Sequence, residues 1–114
     1  MQPAESVAPP QGDADVVSDP QLSSEDRAAL RCAAAFALVG ARQQQGQDTG
    51  DWPEIGERGR EFFVVALAGL MDEYALDRPA IDRLVRTEAE KLMQADEVDT
   101  VMPACLLMLQ ASGF

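Results

Sequence analysis

From Leu30 to Leu109 the apolar residues of this chain return at every third or fourth position and do not alternate with polar ones. That period lines one side of an α-helix and offers a strand no hydrophobic face, so the chain is restricted to helices packed on helices. Composition agrees: Ala, Leu, Arg, Gln and Glu are plentiful, while four Phe, one Tyr and one Trp supply all the aromatic volume. At 114 residues the chain is long enough to bury a core as a single domain without a metal or a disulfide to hold it. Any disulfide would therefore report on compartment rather than on need.

Capping residues mark the helix boundaries. Leu22-Ser-Ser-Glu-Asp26 opens a first helix over 24–44, with Ser23 as the cap and Asp26 well placed against the helix dipole. Leu30, Ala34, Ala37 and Ala41 form one apolar stripe on it, and Cys32, Phe36 and Val39 a second. The polar, glycine-bearing run 43–50 ends it. Asp51-Trp-Pro-Glu54 is a second start signature, a capping acid with an early proline and a Glu three residues on, for a helix over 52–75. Ile55, Phe62, Phe63, Ala66, Leu67, Leu70, Met71 and Tyr74 make its apolar register. Gly56, Gly59 and Gly69 weaken this helix by about 1 kcal/mol each relative to Ala, and are expected where a neighbouring helix packs against the backbone.

Asp77-Arg-Pro-Ala80 starts a third helix over 78–95, with Ile81, Leu84, Val85, Ala89, Leu92 and Met93 facing inward. The fourth helix ends near Ala111. It starts either at a Thr100 cap with Pro103 in its first turn, or near Glu97 with Pro103 kinking it. Short connections predict antiparallel neighbours, and so an all-α, four-helix up-down-up-down bundle over residues 22–114.

In that topology the first and last helices are adjacent, and each carries one of the two cysteines. At about 1.5 Å per residue, Cys32 lies roughly 12 Å from the start of the first helix and Cys105 roughly 9 Å from the end of the last, at the same end of the bundle. Both sit on apolar faces at similar heights. The expected state is a Cys32–Cys105 disulfide, and the alternative is two reduced thiols buried as small hydrophobes. A redox-active pair is disfavoured, because there is no Cys-x-x-Cys and apolar surroundings raise a thiol pKa.

Residues 1–21, MQPAESVAPPQGDADVVSDPQ, hold four prolines, four acids and no apolar run longer than two, and read as a flexible, disordered acidic tail. No stretch is long and apolar enough to span a membrane, and no signal-peptide h-region is present. Gln-Pro-Ala-Glu-Ser after Met1 reads as a mature terminus to which an initiator Met was added after export; a native cytosolic tail is the alternative. The formal charge of −11 disfavours nucleic acid and anionic membrane surfaces, and a partner chosen by charge should be basic.

The absence of histidine excludes His-ligated zinc, Glu-x-x-His di-metal sites and Ser-His or Cys-His nucleophile pairs. Glu54, Glu57 and Glu61 share the face of the expected second helix, but Arg58 and Arg60 are interleaved and the group reads as solvated. Asp96, Glu97 and Asp99 lack the central Gly and closing Glu of a calcium loop. No catalytic, cofactor or metal residue is therefore assigned, and no cofactor is expected. Trp52 at the mouth of the second helix is either a lid over the bundle end or a binding anchor.

The acidic Pro/Ala tail, the run Arg31 to Ala37 (RCAAAFA) and Cys105 in the last helix resemble small exported α-helical proteins of alphaproteobacteria. The resemblance implies a periplasmic location and assigns no activity. The architecture is also similar to that of small helical periplasmic acid-stress chaperones held by one disulfide. The expected role is a non-enzymatic periplasmic protein that binds another protein through an exposed apolar patch including Trp52 or Phe114. The alternatives are a small-ligand carrier with a cavity between helices one, two and four, and an inhibitor or immunity protein whose acidic face plugs a basic hydrolase.

Overall fold

A computed structural model describes residues 20–47, 49–50 and 52–114. Among them are four α-helices and no strand: α1 Ser24–Gln44, α2 Gly56–Tyr74, α3 Arg78–Gln94 and α4 Val98–Ala111. The tail expected over 1–21 lies outside the described residues except for Pro20 and Gln21.

The first helix starts as its capping sequence requires, with Ser23 Oγ accepting the Asp26 N–H at 3.0 Å. The same turn is tied to the far end of α2. Tyr74 donates its hydroxyl proton to Asp26 Oδ2 at 2.7 Å and accepts the Ser23 N–H at 3.1 Å. At the opposite end of α1, the Gln43 amide donates to the Pro53 carbonyl at 2.9 Å and accepts the Ile55 N–H at 3.1 Å. These two ties lay α2 back along α1.

The alanine-rich α1 packs against all three other helices, whereas α3 and α4 barely touch. Small side chains permit this: Ala33, Ala34 and Ala35 are fully covered, so neighbours approach the α1 backbone on several sides. One core cluster joins Phe36 and Val39 of α1 to Phe62, Leu92, Met102 and Leu109, with the Phe36 and Phe62 rings edge to face at 5.3 Å. A second, smaller one gathers Leu30, Leu70, Ile81 and Leu84 near the start of α1. Cys32 and Cys105 form a disulfide with their Cα atoms 5.2 Å apart, buried within the larger cluster.

Three details differ from the sequence expectation. Helix α2 begins at Gly56 rather than 52, without a side-chain cap, and Asp51 lies outside the described residues. The Pro53 carbonyl and Ile55 N–H, which a longer helix would use, bond instead to Gln43, so a side chain from α1 ties down this start. Second, the glycines of α2 do not mark close helix contacts. A methyl group added at Gly56 or Gly69 would meet nothing within 4 Å, and at Gly59 it would meet only the Ile55 side chain. Third, the buried stripe of α3 is Ile81, Leu84, Glu88 and Leu92, while Met93 faces outward. Arg31 reaches across from α1 and bonds Glu88 at 3.1 Å, which allows a carboxylate into that stripe. Of the two starts open for the last helix, the structure takes the one near Glu97: α4 starts at Val98 with Glu97 at its cap position, leaving Pro103 inside the helix and Thr100 in its first turn.

Two helices end on left-handed residues that are not glycine. Ala75 has φ 53° and Asp96 φ 54°. In each case the next amide closes the helix, Leu76 N–H to Met71 O at 2.9 Å and Glu97 N–H to Leu92 O at 2.9 Å. These closures produce the short α2–α3 and α3–α4 connections.

Candidate interaction surface

Helices α1, α2 and α4 leave an open groove of about 300 Å³ near the start of α1. Phe62, Val65, Ala66, Met108 and Phe114 supply its apolar lining, and Glu25 and Asp26 stand at its edge. Further exposed aliphatic side chains stand on the outer faces of α2 and α4, the helices that flank the groove. Val65 is 54% exposed, with Val64 beside it, and Leu107 next to Met108 is 68% exposed. These aliphatic side chains lie in water although every helix has a core to join. Exposed aliphatic side chains at and near an open groove are features of an interaction surface, here on a chain of net charge −11.

The two residues expected on an interaction surface are separated. Phe114 lies in the groove, its carbonyl held by the Arg58 Nε–H at 2.5 Å. Trp52 instead packs half-buried against the larger core and donates its indole N–H to Asp99 Oδ1 at 3.3 Å, near the start of α4. It therefore covers the bundle end opposite Phe114 and does not line the groove. Neither Val65 nor Leu107 stood out in the sequence, because an apolar residue in a helix pattern reads as core until neighbouring helices are placed.

The acidic edge is structured. The Tyr74 hydroxyl holds the Asp26 carboxyl below the usual carboxylate range, desolvation opposes this, and Ser23 adds to the lowering. Glu73 is pushed the other way, first by desolvation and then by the neighbouring Asp26 carboxyl. Asp26 thus remains anionic to lower pH than an ordinary Asp, beside the apolar groove.

Glu54 lies outside α2, which leaves Glu57 and Glu61 without the third carboxylate of the expected helical face. Among the described residues no group of three Cys, Asp or Glu side chains is placed to hold a metal ion. A second groove of about 250 Å³ runs between α1 and α2, lined by Phe36, Ala37, Gly40, Gly56, Gly59 and Phe63 among others. It opens at the surface, where Gly40 and Gly56 have no neighbour over them. Among the described residues no helix is long and apolar enough to cross a membrane. Compared with known proteins, the chain matches no family model, no curated protein and no solved structure.

Proposed function

We propose that this chain is a non-enzymatic, periplasmic up-down-up-down bundle that binds another protein, one that presents an apolar side chain among basic residues. The observation that carries the reading is the α1–α2–α4 groove, lined by exposed Val65 with Met108 and Phe114 beside Glu25 and Asp26, and with exposed Leu107 next to Met108 in the chain. Its apolar floor gives contact area, and its acidic edge favours approach of a cationic partner. The Cys32–Cys105 disulfide fits an oxidising compartment. An inhibitor or immunity protein acting on a basic hydrolase is a special case of the same surface.

Affinity capture from a periplasmic extract, with wild type compared against a Val65→Asp, Leu107→Asp double variant, tests the proposal. Both positions are exposed, so the variant folds. The expected result is a basic protein retained by the wild type, lost from the variant, and released as ionic strength rises. Equal recovery on both baits refutes the proposal. A second reading, small-ligand binding, is favoured by the open α1–α2 groove with its glycine walls. Gly40→Leu would fill that groove and abolish such binding while leaving protein capture intact.

A further inference from the structure

Nine bases stand against twenty acids in this chain, yet three of the nine meet along one seam. Between α1 and α3 lie two adjoining hollows, of about 190 and 400 Å³, that share Glu88 and Lys91 in their walls. Arg27 lines the first and Arg31, one helical turn further along α1, lines the second. Thr87, one turn before Lys91 on α3, adds a hydroxyl.

The seam is held by a buried acid. Glu88 is 3% exposed and accepts the Arg31 Nε–H on Oε2 at 3.1 Å, whereas the Arg31 side chain remains 46% exposed. Only the inner edge of the guanidinium is engaged. Its two terminal amino groups have no hydrogen-bond partner among the described residues, and neither Arg27 nor Lys91 has an ion pair among them. The walls therefore carry three cations against two carboxylates, Glu88, which is engaged with Arg31, and Glu97, and the first hollow holds Arg27 and Lys91 against Glu88 alone. Cations gathered this way repel one another, and an oxyanion between them relieves that repulsion. A guanidinium fixed through Nε presents its remaining N–H groups as a fork that matches the oxygens of a phosphate or carboxylate.

We infer that the α1–α3 cleft is a binding site for a small polyvalent oxyanion, a phosphate group or a paired carboxylate, held by Arg27, Arg31 and Lys91 with Thr87 as a neutral donor. The site is separate from the apolar groove, and its existence does not depend on the protein-binding proposal. Because its bases are partly exposed, binding weakens as salt rises.

The test is a ¹⁵N–¹H NMR titration of the full chain with inorganic phosphate and, separately, succinate, at constant ionic strength set with sodium chloride. Saturable shifts at residues 27–31 and 87–91 are expected with at least one of the two. Phosphate alone identifies a phosphate-bearing ligand, succinate alone a dicarboxylate, and both together the shared oxyanion chemistry; each supports the site. Arg27→Gln and Lys91→Gln leave the Arg31–Glu88 pair intact, so both variants fold, and each should weaken binding about tenfold, or about 1.4 kcal/mol. Arg60→Gln, in the α1–α2 groove, should leave it unchanged. Linear, unsaturated shifts with both anions overturn the inference, as does wild-type affinity in Arg27→Gln and Lys91→Gln.

Discussion

Replacing both cysteines with alanine tests how the bundle is held. The cross-link joins residues 73 apart in sequence, and in the chain-entropy model a loop of that length restricts the unfolded chain by about 4 kcal/mol. Cys32 and Cys105 are both buried, so serine would add an unsatisfied hydroxyl, whereas alanine removes only the sulfur and leaves a small void. The void adds to the loss rather than offsetting it. Single domains have total stabilities of about 5–15 kcal/mol, so the double variant should be marginal. The assay is equilibrium urea unfolding followed by far-ultraviolet circular dichroism. With a slope of about 1–2 kcal/mol/M, the midpoint should fall by about 2–4 M. The slope should also steepen, because the unfolded chain expands once the cross-link is gone. A variant whose stability lies within about 1 kcal/mol of wild type, with an unchanged slope, would refute the loop-closure reasoning.

Other outcomes follow from single contacts. Arg31→Met should cost about 3 kcal/mol because it leaves the buried Glu88 carboxylate unpaired, whereas Glu88→Met should cost much less because Arg31 is free to turn toward water; thermal unfolding of the two variants checks the asymmetry. Tyr74→Phe should raise the Asp26 pKa toward its ordinary value, read by NMR titration of the side-chain carboxyl. Asp26 is depressed in the folded protein, so its stabilisation is present above the ordinary carboxylate range and is lost as pH falls through the folded pKa. Glu73 is raised and acts in the opposite sense, and the acid sensitivity due to Asp26 should shrink in Tyr74→Phe. Gly69→Ala should stabilise by about 1 kcal/mol, since the position is helical, exposed and open; destabilisation in thermal melts would show an unrecognised contact there.

The helix count and the cysteine pairing were legible because both follow from periodicity and capping. Ser23 and Asp77 accept the N–H groups their positions require, at 3.0 Å in each case, and the spans of α1 and α3 fall where those caps place them. The α2 boundary was not legible, since it depends on Gln43, twelve residues before the Ile55 amide it receives. Glu88 was missed for a related reason. Its burial depends on Arg31, 57 residues away, and a Glu in a helix pattern otherwise reads as solvent-facing. The turns at Ala75 and Asp96 carried no glycine to announce them. The apolar groove was only half visible: Phe114 was singled out, but Val65 and Met108 become a surface only when α2 and α4 are set beside α1.

Site-specific photo-crosslinking in living cells tests the central claim most directly. A photoreactive amino acid at Leu107 should yield one adduct with a basic periplasmic protein, and Val65→Asp should abolish it. The same probe at Met93, which is also exposed but on α3, should yield none. An absence of any adduct at Leu107, or the same adduct from Met93, would contradict the assignment of the groove as the protein-binding surface.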